Sequence, residues 1–289
     1  MFQVFEIVFP IFAIVLLGYL YARRFGPDMA SANRLNIEIF TPALIFSVLA
    51  GEGFELGRYA ELAVAAAVVV LGSGLLAWPL ARLSGFPSRV FLPPMMFNNS
   101  GNMGLPLALF AFGEAALPAA MILFLVENTL HFTVGNAMLT GHVNPLRLLR
   151  MPMLLATLAG LLVAVLSIRV PGPLYQAIDL VGQVAIPLML FALGVRMTGV
   201  DLSDWRIGLA GALVGPAAGM LVAGGILLLV ELPPLQAAQL LVFAALPPAV
   251  LNFMLAERYG IAPRQVAAIV LLGNLASLAI LPAVLYFVL

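Results

Sequence analysis

The sequence predicts an all-α membrane protein of ten transmembrane helices, arranged as two inverted five-helix repeats with both termini outside. Three observations carry this expectation. Only 9% of the residues are charged against 63% apolar, and the mean hydropathy is +1.13, a balance that cannot keep a water-facing surface wet. Apolar runs of roughly 20 residues, enough to cross a hydrocarbon layer of about 30 Å as helix, follow one another along the whole chain. The arginines also segregate to one side of the loops between those runs.

Taken in order, the spans are read at 2–22, 35–51, 60–83, 88–112 and 115–140, then at 152–168, 174–199, 206–230, 236–259 and 263–288. The first is an apolar run with Arg23 and Arg24 behind it. A signal peptide has the opposite order, so this helix is expected to be retained. Gly, Pro or charged residues bound the others, and none shows the apolar–polar alternation of a barrel strand. No segment is left for a soluble domain.

All 13 basic residues are arginines. With ten spans, Arg23, Arg24, Arg34, Arg82, Arg89, Arg147, Arg150, Arg196, Arg206, Arg258 and Arg264 share one side, and only Arg58 and Arg169 lie on the other. Short basic loops stay cytoplasmic, so both termini are placed on the extracytoplasmic side of the cell (inner) membrane. A missed or invented span would have moved every later arginine to the wrong side, so the segregation supports the span count too.

The halves correspond. Span two holds Thr41-Pro42-Ala43-Leu44-Ile45-Phe46 and span seven Ile186-Pro187-Leu188-Met189-Leu190-Phe191, at an offset of about 145 residues. Phe112-Gly113 with Glu127-Asn128 is matched by Tyr259-Gly260 with Gly273-Asn274, and spans four and nine both carry prolines. An odd number of spans per half makes the second half, 146–289, enter the membrane from the side opposite to the first, 1–145. Inverted repeats of this kind are a known plan of secondary transporters.

Span four reads Phe97-Asn98-Asn99-Ser100-Gly101-Asn102-Met103-Gly104-Leu105-Pro106, and span nine has Leu246-Pro247-Pro248-Ala249-Val250-Leu251-Asn252. Such runs break a helix, because proline lacks the amide hydrogen and glycine lowers the cost of unwinding. Opened backbone at membrane depth persists only where it is buried in protein or lines a cavity. Two crossing broken helices therefore mark a candidate substrate site, with Asn98, Asn99, Ser100, Gly101, Asn102, Pro106, Pro247, Pro248 and Asn252 as its residues. Pro106 is expected in the first turn of a half-helix. Half-helix starts offer unpaired N–H groups and a positive dipole end, which suit an anion. With no arginine at the membrane centre, amides and dipoles are expected to hold it, favouring a monoanion or small carboxylate over a highly charged phosphate compound.

Several classes are excluded or disfavoured. There are no cysteines and only two histidines, His131 and His142, so no metal site, disulfide or cofactor is expected. A formal net charge of zero gives a nucleic acid nothing to bind. An intramembrane enzyme needs a nucleophile with its base, or two carboxylates at one depth. Ser100 has no histidine near it in sequence. A sensor or channel on the same fold is a further alternative.

The run Asn99-Ser100-Gly101-Asn102-Met103-Gly104-Leu105-Pro106-Leu107, followed by Phe112-Gly113, resembles span four of the auxin efflux carrier family. That family includes plant PIN-type auxin exporters and bacterial malonate or malate permeases. The stretch from Tyr259-Gly260 through Asn274 to Pro282, and the opening from Leu35-Asn36 to Thr41-Pro42-Ala43-Leu44, are similar to it as well. The resemblance implies a scaffold of spans 1, 2, 6 and 7 and a transport domain of spans 3–5 and 8–10. It implies elevator-type alternating access in a homodimer embedded in membrane lipid, and it matches Asn99 to an asparagine that contacts the substrate carboxylate. At span nine, Pro248 and Asn252 depart from the plant pattern. The short connection around 141–151 replaces a long loop, so auxin is not implied.

The expected function is a secondary active transporter or facilitated carrier for a small organic anion. A sodium-coupled bile-acid-type symporter or sodium/proton exchanger is the alternative, although an exchanger would place aspartates at the broken helices. Glu127, beside Asn128 in span five, is an intramembrane carboxylate and so a functional candidate. With Asn128 and Asn274 it is a coupling candidate, for H+ or for Na+ held by backbone carbonyls. His131 reads as a packing residue, with a proton relay as the other reading. Glu38 and Glu257 are placed to pair with arginines; Glu6 and Asp179 read as interfacial.

Overall fold

In the computed structural model, residues 2–51, 54–142, 150–198 and 203–289 are described, and they are helical with no β-strand among them. Arg147 and the expected repeat boundary at 145/146 lie outside the described residues. In chain order the helices are α1 (Phe2–Phe25), α2 (Ala30–Leu35), α3 (Thr41–Leu49), α4 (Ala60–Leu83), α5 (Ser88–Met96), α6 (Leu105–Phe112), α7 (Leu117–Leu130) and α8 (Asn136–Thr140). Then come α9 (Pro152–Val165), α10 (Gly172–Gln183), α11 (Ala185–Arg196), α12 (Trp205–Leu227), α13 (Pro234–Ala244), α14 (Val250–Tyr259) and α15 (Pro263–Val288).

Among the described residues, six helices are long and apolar enough to cross a membrane: Val4–Phe25, Leu56–Leu83, Glu114–Thr140, Gly172–Arg196, Trp205–Leu227 and Pro263–Val288. The other expected spans are shorter or interrupted. Spans six and nine appear as α9 and as α13 with α14, span two as α2 with α3, and span four as α5 with α6. α4 shows why water is the wrong solvent for this surface. It buries Leu62, Ala66, Val70 and Ala77 on one side while Val64, Val68, Leu71 and Leu75 stand exposed on the other. A helix apolar on both faces belongs in lipid.

The closest helix pairings form three sets, and α1 and α11 also touch α6. α1 lies along α11, and α3 lies against α9 and α10. α4 packs against α5, α7 and α12, and α12 against α15, with α14 alongside. Within hydrocarbon, association depends on close van der Waals approach, which small residues permit. At the α1–α11 contact, a Cβ on Gly18 would strike the Phe191 carbonyl and one on Gly194 the Val15 carbonyl.

Three π-helical turns interrupt the α geometry, at Asn36–Phe40, Ser100–Gly104 and His131–Gly135. Two have a shared cause. Thr41-Pro42 and Leu105-Pro106 follow the first two turns directly. A proline cannot donate to the carbonyl four residues back and its ring crowds that carbonyl, so the preceding turn widens.

Candidate functional site

The break in span four is narrower, and lies earlier, than the run of polar residues suggests. α5 ends at Met96, Phe97 to Asn99 are extended or irregular, and helix resumes at Ser100. Pro106 therefore sits one turn inside the second half-helix, behind the π-helical turn, and not in its first turn. Span nine opens between Ala244 and Val250. The two open segments cross and pair antiparallel at Asn98 and Pro248. The Asn99 N–H donates to the Pro247 carbonyl at 2.7 Å and the Ala249 N–H to the Phe97 carbonyl at 3.0 Å.

Three asparagine amides satisfy carbonyls that the unwinding frees. Asn252 Nδ2 donates to the carbonyls of Phe97 (2.8 Å) and Ala249 (3.0 Å), and Asn98 Nδ2 to that of Phe243 (2.7 Å). Asn274 Nδ2 donates to the carbonyls of Pro248 (3.2 Å) and Val270 (2.8 Å), and its Oδ1 accepts from Asn99 Nδ2 at 3.4 Å. Polar backbone at this depth has no water to fall back on, so these bonds are what makes the crossing stable.

Beside the crossing lies a cavity of about 180 Å³. All three π-helical turns contribute to its wall: Asn36 and Ile37 from the first, Ser100 to Asn102 from the second, His131 and Phe132 from the third. Widened turns expose backbone and re-aim side chains, which is why they gather at functional sites. Two half-helix starts open on the same space, one at Ser100, Gly101 and Asn102 and the other at Val250 and Leu251. At a first turn these N–H groups have no intrahelical acceptor, and the backbone bonds outside the helices supply none to them. They are aligned donors for an anion.

Glu127 is the buried acid of the cavity, 2% exposed. Ser100 Oγ donates to its Oε2 at 2.8 Å, and His131 Nδ1 lies 3.3 Å from its Oε1. The His131 ring stacks on Phe97 with centroids 4.2 Å apart and planes 9° from parallel. Gly135 makes room for this, since a Cβ there would come within 2.8 Å of the Phe97 ring. Asn36 Oδ1 and Asn98 Oδ1 are buried with no hydrogen-bond partner among the described residues, while Glu127 Oε1 and His131 Nδ1 have only each other. Buried polar atoms are seldom left unpaired, and two of them on one cavity wall mark a place for a polar guest.

The structure thus brings Asn98, Asn99, Ser100, Gly101, Asn102, Glu127 and Asn128 to one cavity. Pro106, Pro247, Pro248, Asn252 and Asn274 are not on its wall; they shape or brace the crossing. Asn274 instead borders an apolar cavity of about 520 Å³ between α1 and α15. Ser100 bonds to Glu127 rather than to a histidine. Glu38 pairs with Arg34 at 3.0 Å as expected, whereas Glu257 forms no ion pair among the described residues. Sequence reasoning missed Asn33, Asn36, Thr41 and Arg196, which also line the cavity. Proline spacing behind Asn36 was the available signal for that turn. Arg196 was hidden among the arginines that set orientation.

The profile of the family described as membrane transport protein matches residues 3–141 and 136–286. A protein of Rhizobium meliloti (strain 1021), named "Putative malonate transporter", is 31% identical over 315 aligned residues, covering 98% of this chain and 95% of that protein.

Proposed function

The chain belongs to the membrane transport protein family, that of the auxin efflux carriers, and on that premise we propose that it carries a small carboxylate through the cavity beside the crossing. The name of its Rhizobium relative makes malonate the first substrate to try. The observation that carries this reading is the convergence of two half-helix starts and Asn99 on one polar cavity in an otherwise apolar protein. At about 180 Å³ the space is smaller than the roughly 300–1,000 Å³ of drug-sized sites, and suits a small metabolite. One carboxylate oxygen would meet the N–H groups at Ser100 and Gly101 and the other the Asn99 amide.

Movement follows from the packing. We read α1, α2, α3, α9, α10 and α11 as the scaffold and α4 to α8 with α12 to α15 as the transport domain, in two inverted repeats of five spans. The close pairings of α1 with α11, of α3 with α9 and α10, and of α4 and α15 with α12 support this division. Ile37, Met151 and Met254 line the cavity near helix ends that carry Arg34, Arg150 and Arg258. With the cytoplasmic side assigned from the arginine bias, this is an inward-facing state, and elevator-type displacement of the transport domain would expose the same cavity outside.

Coupling is assigned to Glu127, as a proton site. An anion bound at Ser100 would sit beside its carboxylate, and two like charges in low dielectric disfavour each other. Proton and substrate would then load together, with His131 and Arg196 the other ionisable groups on the wall. The test is the melting temperature of the purified protein against mono- and dicarboxylates at two pH values, with and without sodium, since a ligand of the folded state raises it by mass action. A shift by carboxylates that Asn99→Ala abolishes supports the site, and sodium dependence in place of pH dependence overturns the assignment of Glu127. No shift by any carboxylate overturns the reading.

A further inference from the structure

Arg196 stands apart from every other arginine that the structure describes. Arg34 and Arg58 pair with Glu38 and Glu55 at 3.0 and 2.7 Å. Arg23, Arg24, Arg82, Arg206 and Arg258 lie over aromatic rings of their own helices. Arg264 reaches Ser203 Oγ at 3.0 Å. Arg89, Arg150 and Arg169 are exposed to solvent or headgroups. Arg196 is the one described arginine that is not exposed, and no carboxylate lies within ion-pair distance of it among the described residues. Its hydrogen-bond contact is the weak one from Nη1 to Met254 Sδ at 3.6 Å.

The surroundings make that isolation costly. On one side Arg196 lines the cavity of Asn99 and Ser100; on the other it lines a second cavity of about 560 Å³, where its neighbours include Met197, Phe253 and Met254. A half-buried guanidinium among apolar side chains keeps its charge and calls for a counter-charge. The Glu127 carboxylate is on the same wall but faces Ser100 and His131 and lies beyond ion-pair distance of Arg196. Glu257 borders the second cavity without pairing with it. The last turn of α11 offers only the partial charge of its carbonyls.

Geometry supplies the missing partner. Met189, Ala192 and Arg196 line the cavity along one face of α11, a stretch of eight residues and about 10 Å. The cavity wall therefore carries two positive poles on different elements, the half-helix starts at the crossing and the guanidinium at the end of α11. We propose that Arg196 is a specificity-determining residue, receiving the second carboxylate of a dicarboxylate whose first carboxylate sits at the crossing. Its fork of donors fits a carboxylate bidentately, which a lysine cannot reproduce. The proposal rests on the carboxylate-carrier reading and adds a prediction that reading does not make.

The test compares malonate with malonamate, which has the same skeleton and one carboxylate replaced by an amide. Binding to full-length protein in detergent is measured for the wild type, Arg196→Gln, Arg196→Lys and Asn99→Ala. The expected result is a wild-type preference for malonate of roughly tenfold to a hundredfold, the range of a hydrogen-bonded charge. Arg196→Gln should bring the ratio near one by weakening malonate alone, Arg196→Lys should keep part of it, and Asn99→Ala should weaken both ligands alike. An unchanged ratio in Arg196→Gln, with both ligands still bound, overturns the role of Arg196 and leaves the carrier reading standing. Failure of the wild type to bind either ligand overturns the carrier reading and this proposal together.

Discussion

The two broken helices meet as equals in the backbone and as opposites in the side chains. At the crossing each gives one N–H and one carbonyl to the other. Around it, span four presents Asn98, Asn99, Ser100, Gly101 and Asn102 to the cavity, whereas span nine presents Ala249, Val250 and Leu251 and turns its one amide, Asn252, onto freed carbonyls. On the proposed reading one arm binds and the other braces. A site of this kind is therefore chemically lopsided even where the chain trace around it is paired, and substitutions in the two arms should fail in different ways.

The largest effect is expected from Asn99→Ala on carboxylate binding, a loss of roughly tenfold to a hundredfold with the melting temperature of the free protein close to wild type. Its bond to Asn274, at 3.4 Å, is long, so little stability depends on it. A protein that melts early but binds normally would place Asn99 in the bracing class. Glu127→Gln comes next. The amide still accepts from Ser100 but cannot carry a proton, so proteoliposomes should lose substrate accumulation driven by a pH gradient while keeping substrate exchange. Undiminished accumulation would remove Glu127 from coupling.

On the bracing arm, Asn252→Leu removes the side-chain donor from the Phe97 and Ala249 carbonyls, which keep one backbone donor each, and costs about 0.5–1.5 kcal/mol for each bond lost. It should appear as a lower melting temperature, with affinity in the folded fraction unchanged. The smallest change is expected from Pro248→Ala. Proline already fits the extended segment, so its removal costs about 0.4–1 kcal/mol through the unfolded chain, and the melting temperature should fall less than in Asn252→Leu. If Pro248→Ala weakened ligand binding instead, the division between the arms would be wrong.

Much of this was legible from residue order, because the signals were local. Asn98 to Asn102 and Pro247-Pro248 announce broken helices, and an isolated carboxylate such as Glu127 in an apolar run stands out as a candidate. What was not legible depended on where neighbours lie. Pro106 reads as a helix start, but the chain absorbs it by widening the turn at Ser100–Gly104. Asn252 reads as a ligand, yet its amide is consumed 155 residues away in sequence by the Phe97 carbonyl. Arg196 reads as one more loop arginine, and only its burial and lack of a partner set it apart. His131 shows the same limit, since its ring is placed by Phe97 from the open segment of span four.

The central claim is that a small carboxylate crosses the membrane by way of Asn99 and the half-helix starts beside it. It is tested most directly by counterflow: proteoliposomes loaded with malonate and diluted into labelled malonate. The account predicts transient accumulation of label with the wild type and its loss in Asn99→Ala at equal protein content. Accumulation that persists undiminished in Asn99→Ala would contradict it, as would the absence of counterflow for malonate and for every other small carboxylate tried.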